Sequence, residues 1–182
     1  MKKLRFGVIG AGGIADRRTI PGMLASRRAM PVALMNPPEY QADLSRLGEK
    51  YGVKALYTDA AKLARDPEVD AVYIASPVAE HLRQALLVCE AGKPLLIEKP
   101  LALSCADGQA VIDAFAAKKL PLAAGLMMRF GSHIRQMKQR CQAGDIGPLV
   151  SLYSRFSCWY PDIPGAWRQA PETSGGGALM DM

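Results

Sequence analysis

Lys99 stands between Glu98 and Pro100, directly after the apolar run Leu95-Leu96-Ile97. A lysine that ends a buried strand carries a fixed backbone and a mobile ammonium head. Proline at the next position drives Lys99 away from helical geometry, and the peptide joining the two can be cis at modest cost. Ligands of open α/β sheets bind at the carboxyl edge, and a cation placed there can stabilise negative charge developing on an oxygen. The second chemistry-bearing stretch is Gly10-Ala11-Gly12-Gly13-Ile14-Ala15, between an apolar strand and a helical segment. Its first glycine permits a tight turn and its second lets the backbone approach a pyrophosphate. Ala15 takes the third position, where a small residue permits close helix–strand packing. The N–H groups of the helix start, from Gly13 and Ile14 onward, then face the phosphates. The alternative is a glycine-rich turn needed only for packing.

Further candidates fall at the ends of other strands. Asn36 ends the second strand, where an acid often holds the ribose 2′-hydroxyl of NAD. Its amide can bond that hydroxyl and carries no charge to repel a 2′-phosphate. No arginine follows, only Pro37 and Pro38, so NAD and NADP both remain open. An Asn-Pro turn is the plainer reading of the same residue. Ser76-Pro77 ends the fourth strand with a hydroxyl and a rigid turn, and His81 lies about one turn into the helix that follows. A single histidine there serves either a ligand or the packing. Glu98 either holds Lys99 by charge, contacts a cofactor, or is an ordinary carboxylate at a strand end. Lys99 by itself would read as a solvated surface lysine; the glycine turn in the same chain favours function.

Strand-like runs alternate with helix-period segments. Strands are expected over residues 4–9, 32–35, 55–57, 71–75, 95–97 and 122–126. Between them, a helix starts near Gly12 and is bent or ended by Pro21, and others cover 40–51, 58–65 with Thr58 as cap, 79–91, and 104–118 with Ser104 as cap. Such alternation predicts an α/β fold, a doubly wound parallel sheet built from right-handed βαβ units. The pattern changes near Ala123. Ser132 caps a helix to about Ala143, and Val150 to Tyr160 alternates apolar and polar residues like one long strand of an antiparallel sheet. The expected division is therefore residues 1–122 and 123–182, the second unit being the start of an incomplete α+β domain with a predominantly antiparallel open sheet. One helix and one strand cannot bury a core, so apolar surface around Val150 to Tyr160 should be exposed.

Composition narrows the function classes. The chain has 182 residues, 49% of them hydrophobic, with 23 Lys+Arg against 17 Asp+Glu and a net charge of +6. The basic residues are scattered, with no basic run of the kind that tracks nucleic acid, and an anionic cofactor suffices to explain the excess. Cys89, Cys105, Cys141 and Cys158 form no Cys-x-x-Cys pair, so neither a metal site nor a disulfide framework is expected. No apolar run is long enough to span a membrane, and reduced thiols suit a cytoplasmic protein.

The glycine turn, Ser76-Pro77 with His81, Ala91-Gly92-Lys93-Pro94, and Glu98-Lys99-Pro100 together resemble the glucose–fructose oxidoreductase / inositol dehydrogenase (Gfo/Idh/MocA) family. The late segment Gly175-Gly176-Gly177-Ala178-Leu179-Met180-Asp181 resembles that family's later motif, and the similarity covers essentially the whole chain. The resemblance implies a Rossmann domain followed by a domain with a large open sheet. It implies an NAD- or NADP-dependent oxidoreductase acting on sugars, polyols or related compounds, and a homo-oligomer when full length. Lys99 takes the place of the family lysine beside the nicotinamide and the substrate oxygen. Asp181 matches an aspartate that the family follows, four residues on, with an acid/base histidine. That position falls beyond Met182, so the chain resembles the front half of a member.

Hydride transfer requires a carbinol carbon held against the nicotinamide, with the protein supplying orientation and electrostatics and an acid/base group moving the hydroxyl proton. Arg129, and Arg168 beside Trp167, are candidate contacts to the substrate or surface residues. A non-catalytic dinucleotide-binding module, or a truncated inactive fragment, is the competing reading of the same residues.

Overall fold

The computed structural model describes residues 2–177 and 180. Six parallel strands form one sheet: β1 (Leu4–Ile9), β2 (Ala29–Met35), β3 (Ala55–Tyr57), β4 (Ala71–Ile74), β5 (Leu95–Ile97) and β6 (Leu122–Ala124). Their spatial order is β3-β2-β1-β4-β5-β6, the doubly wound Rossmann order, which reverses between β1 and β4. The expected α/β class is borne out.

Helices cover both faces, as parallel sheets require. The segment α1 (Ile20–Ala25) and α2 (Gln41–Tyr51) pack Ile20, Met23, Leu44 and Leu47 against Val8, Leu34 and Tyr73. On the other face lie α3 (Ala60–Arg65), α4 (His81–Glu90) and α5 (Cys105–Ala117), whose Leu63, Val88 and Phe115 meet Ile9, Val72 and Ile74. The alternation within β4 explains the split. Successive strand residues point to opposite faces, so Tyr73 enters one core while Val72 and Ile74 enter the other.

Several boundaries differ from the sequence expectation for local reasons. β2 starts at Ala29 rather than at residue 32, because its pairing with β1 shifts register between Phe6 and Gly7, opposite Pro31. A proline has no N–H for the ladder and is accommodated where the pairing is irregular. The helix after the glycine turn does not end at Pro21: its winding widens to a π-turn over Ala15–Thr19 and resumes as α1 with Pro21 in the first turn. Proline has no N–H to give to an i→i−4 bond, and the ladder is already irregular immediately before it. Asp59, not Thr58, caps α3, its carboxylate accepting from Ala61 N at 2.7 Å. Such a cap is worth about 1 kcal/mol. Ser104 caps α5 as expected, accepting from Asp107 N at 3.1 Å. A division after residue 122 falls inside β6, which pairs through Ala124 with β5.

Beyond the sheet, α6 (Ser132–Ala143) is preceded by Gly131 as its capping position, so Ser132 is the first helical residue rather than the cap. Residues 149–163 form no strand, correcting the expectation for Val150 to Tyr160. Their alternation is present, but a strand needs a ladder partner; Val150 is 92% and Trp159 88% exposed. The short helix α7 (Pro171–Ser174) then packs on the turn Val78–Glu80 before α4, bringing Gly175 against Leu103.

At the amino edge of the sheet, Arg5 and Asp70 clamp β1 to β4. The Arg5 amide donates to Asp70 Oδ2 at 2.9 Å, and its guanidinium donates through Nε at 3.0 Å and Nη2 at 2.8 Å. These bonds hold the Asp70 carboxyl well below the usual carboxylate range. A group depressed in the folded state stabilises above its unfolded value and loses that contribution as pH falls toward the folded one. Melting temperature followed from about pH 5 to pH 2 should therefore fall less steeply in Asp70→Asn than in the wild type; parallel curves would remove Asp70 from the acid response.

Candidate functional site

β1 runs into Gly10, whose φ of +77° suits glycine. Its amide donates to Met35 O at 3.0 Å, and a Cβ on it would stand 2.6 Å from Ser76 N and 2.8 Å from the Ala75 carbonyl carbon. The turn is therefore pressed onto the end of β4, where the strand order reverses. Gly12 differs. It has no positive φ, and a Cβ there would meet nothing within 4 Å. The space over Gly12 is open to whatever the helix start receives, and a side chain would fill it. Gly13 has φ +50° and is exposed, Ile14 is partly buried, and Ala15 is fully buried against the first core. Gly12 O accepts from Ala15 N at 3.0 Å and Asp16 N at 3.3 Å, closing the first turn.

Asn36 does something the sequence did not indicate. It is buried, and its Oδ1 accepts from Ala11 N at 2.8 Å, while its backbone N–H donates to Tyr57 O at 3.3 Å. The side-chain oxygen thus holds the glycine turn to the end of β2. The helix start is anchored a second time: Asp16 accepts from Lys50 Nζ and from Tyr51 OH, each at 2.6 Å. These two bonds hold its carboxyl below the ordinary range.

At the end of β4, Ser76 Oγ donates to Gln84 Oε1 at 2.6 Å, and Pro77 is exposed. His81, which the sequence offered as either a ligand contact or a packed residue, is 1% exposed. Nδ1 lies 2.9 Å from Pro100 O and Nε2 lies 3.1 Å from Ser76 O. Burial pushes its imidazole pKa down. Both neighbours are carbonyl oxygens and a neutral imidazole has one N–H, so the ring, wedged between the turns after β4 and β5, donates to one of them and packs against the other.

The Glu98-Lys99-Pro100 turn follows β5, with a cis peptide between Lys99 and Pro100. Glu98 N donates to Ile74 O at 2.9 Å, fixing the turn to the neighbouring strand. The Glu98 carboxylate accepts from Tyr73 OH at 2.7 Å through Oε1 and from the Lys99 amide at 3.2 Å through Oε2. A Cβ on Gly125, after β6, would stand 3.3 Å from that carboxylate. Tyr73 OH also lies 2.9 Å from Thr19 Oγ1. Neither Tyr73 nor Thr19 was singled out from the sequence. The available signal was a phenol inside the apolar strand Ala71–Ile74, because a buried tyrosine hydroxyl needs a partner.

Gly10, Asn36, Ser76, Glu98 and Lys99 thus gather at one carboxyl edge, on four adjacent strand ends. Lys99 is half-buried there. Arg129 is exposed in the turn Met127–Phe130 beyond β6. Trp167 and Arg168 pair with each other, the guanidinium 4.3 Å from the indole centroid. Asp181 lies outside the described residues. Among the described residues no group of three or more His, Cys, Asp or Glu could hold a metal, and no helix is long and apolar enough to cross a membrane.

Residues 4–126 match the family model described as "Oxidoreductase family, NAD-binding Rossmann fold", and residues 134–182 match the "GFO/IDH/MocA C-terminal domain". The dTDP-3,4-didehydro-2,6-dideoxy-alpha-D-glucose 3-reductase of Streptomyces antibioticus is 32% identical over 180 residues, covering 99% of this chain and 53% of the reductase. Aldose-aldose oxidoreductase from Caulobacter crescentus, solved with glycerol, superimposes with a TM-score of 0.83 at 27% identity, over 99% of this chain and 54% of that one. Scyllo-inositol dehydrogenase from Lactobacillus casei, solved with NAD(H) and scyllo-inositol, gives 0.73 at 27% identity over 80% of this chain and 43% of its own. The chain spans about half the length of the curated relatives it matches.

The two glycines should separate folding from binding. Gly10→Ala meets backbone and a left-handed φ, and should cost about 2 kcal/mol or more in chemical denaturation. Gly12→Leu should unfold like the wild type yet lose dinucleotide affinity by more than about tenfold in a fluorescence titration, since its side chain enters the space a phosphate would take. Unchanged affinity in Gly12→Leu would refute the phosphate-cradle assignment.

Proposed function

Because this chain belongs to the Gfo/Idh/MocA oxidoreductase family, with its NAD-binding Rossmann fold, we propose that it supplies the dinucleotide platform and the cationic catalytic group of an oxidoreductase acting on a sugar, polyol or related hydroxy or carbonyl compound. The observation that carries the reading is the placement of Lys99. It stands at the same carboxyl edge as a glycine turn whose Gly12 faces open space.

The platform is divided between the two halves of the sheet. A dinucleotide crosses the point where strand order reverses, here between Gly10 and Ser76. Gly12, Gly13 and Ile14 would receive the pyrophosphate, Asn36 stands at the ribose end, and Ser76, Pro77 and Glu98 border the nicotinamide half. Asn36 brings no carboxylate, so NAD and NADP are both accepted in this reading. When bound, the nicotinamide gives or takes the hydride. Lys99 holds the substrate oxygen and stabilises negative charge developing on it, while Glu98 and Pro100 fix the lysine backbone. Arg129, Trp167 and Arg168 are assigned to substrate contacts and Asp181 to the proton-transfer side of the site. The dinucleotide-binding unit is assigned to the residues up to the end of β6 at Ala124, and those after it to the start of the substrate domain.

NADH and NADPH titrations followed by a turnover screen with polyols and aldoses test this reading. At least one dinucleotide should bind. Lys99→Ala should keep that affinity within about threefold while turnover falls by at least about a hundredfold, as expected when an interaction made mainly in the transition state is removed. Binding of neither dinucleotide would overturn the assignment, and so would full activity in Lys99→Ala.

A further inference from the structure

The chain of hydroxyls beneath the site has a direction. Tyr73 is 1% exposed, and burial pushes its phenol above the ordinary value, so it keeps its proton. That single proton goes to Glu98 Oε1, 2.7 Å away. Thr19 Oγ1, at 2.9 Å from the same phenol oxygen, must therefore be a donor to Tyr73. The bonds run one way, Thr19 to Tyr73 to Glu98, each polarising the next toward the carboxylate. Thr19 ends the π-turn of the helix that begins at the glycine turn, whereas Glu98 belongs to the turn that carries Lys99. This side-chain chain joins the helix on one core to the β5 turn at the opposite half of the sheet.

We propose that Tyr73 is a positioning residue: anchored by Thr19, it holds the Glu98 carboxylate in place for the nicotinamide half of a bound dinucleotide. The proposal rests on the dinucleotide-binding reading above. Glu98 stands on the β4–β6 side of the strand reversal and Asn36 on the β1–β3 side, so the two halves of the ligand meet different residues. A disturbance that travels through Tyr73 reaches Glu98 and not Asn36. Packing alone would not discriminate between the halves, since Tyr73 is otherwise part of the core shared with Val8 and Leu34.

The test compares NADH with ADP-ribose, which lacks the nicotinamide, by calorimetric or fluorescence titration of the 182-residue chain. Tyr73→Phe should weaken NADH by roughly five- to tenfold, the scale of one ordinary hydrogen bond, and leave ADP-ribose within about twofold. Thr19→Val should do the same in smaller measure, Thr19→Ser should restore NADH binding, and the Thr19→Val/Tyr73→Phe double variant should be no weaker than Tyr73→Phe alone. Equal losses on both ligands, or no loss in either variant, would overturn the role of Tyr73. Wild-type binding of neither ligand would instead bring down the dinucleotide reading itself. If Tyr73→Phe does not fold, the Thr19→Val and Thr19→Ser pair decides.

Discussion

Gly10 and the Ala75–Ser76 backbone meet with no room between them for a Cβ, and the rest of the site depends on that contact. It holds the carboxyl ends of β1 and β4 together where the sheet reverses direction. It also aims the helix start across the reversal, so that the amide-rich turn and the β4 and β5 turns border one space. A larger residue at this point would part the two strands before it touched any ligand. The two conspicuous glycines of the turn therefore serve different ends, Gly10 the protein's own packing and Gly12 the space outside it.

Around that contact, polar side chains act as ties rather than as exposed reagents. Asn36 spends its oxygen on the Ala11 amide, Ser76 its hydroxyl on Gln84, and His81 bridges the backbone of Ser76 and Pro100. Asn36 and His81 each lie between two turns that belong to different strands, and Ser76 ties its turn to α4, which is how short loops at a sheet edge acquire a common geometry. Glu98 is held from below by Tyr73 and from its own turn by the Lys99 amide. The lysine thus projects from a turn whose backbone is fixed on several sides, while its ammonium stays on a long side chain. A fixed backbone under a cation suits the charge-stabilising role proposed for Lys99.

The fold was legible where local and global signals agree. β1, β3 and β5 lie where the apolar runs put them, and α2 and α6 end at Gly52 and Gly144 as expected. It was less legible where a neighbour decides. β2 reaches back through Pro31 because β1 tolerates an irregular register, and the helix continues past Pro21 after a π-turn over Ala15–Thr19. Residues 150–160 have strand-like alternation and no strand, since alternation describes a face and a strand also requires a partner for its backbone. The site followed the same rule. Lys99, Glu98 and the glycine turn announce themselves by residue type and spacing, whereas the commitment of Asn36 and the parts played by Tyr73 and Thr19 depend on contacts across 25 to 54 residues of chain, and that of His81 on one across 19.

By itself the sequence determined the order of strands and helices, the family, and the presence of a lysine and a phosphate-type turn at strand ends, because these are carried by periodicity, glycine positions and short motifs that act locally. The tertiary structure alone decided which side chains remain available to a ligand. A buried hydroxyl, amide or imidazole takes whichever partner the neighbouring strand presents, since leaving it unpaired costs about 1–3 kcal/mol. That requirement turned His81 into a brace between two turns, made Asn36 the holder of the glycine turn, and joined Thr19 to Glu98 through Tyr73.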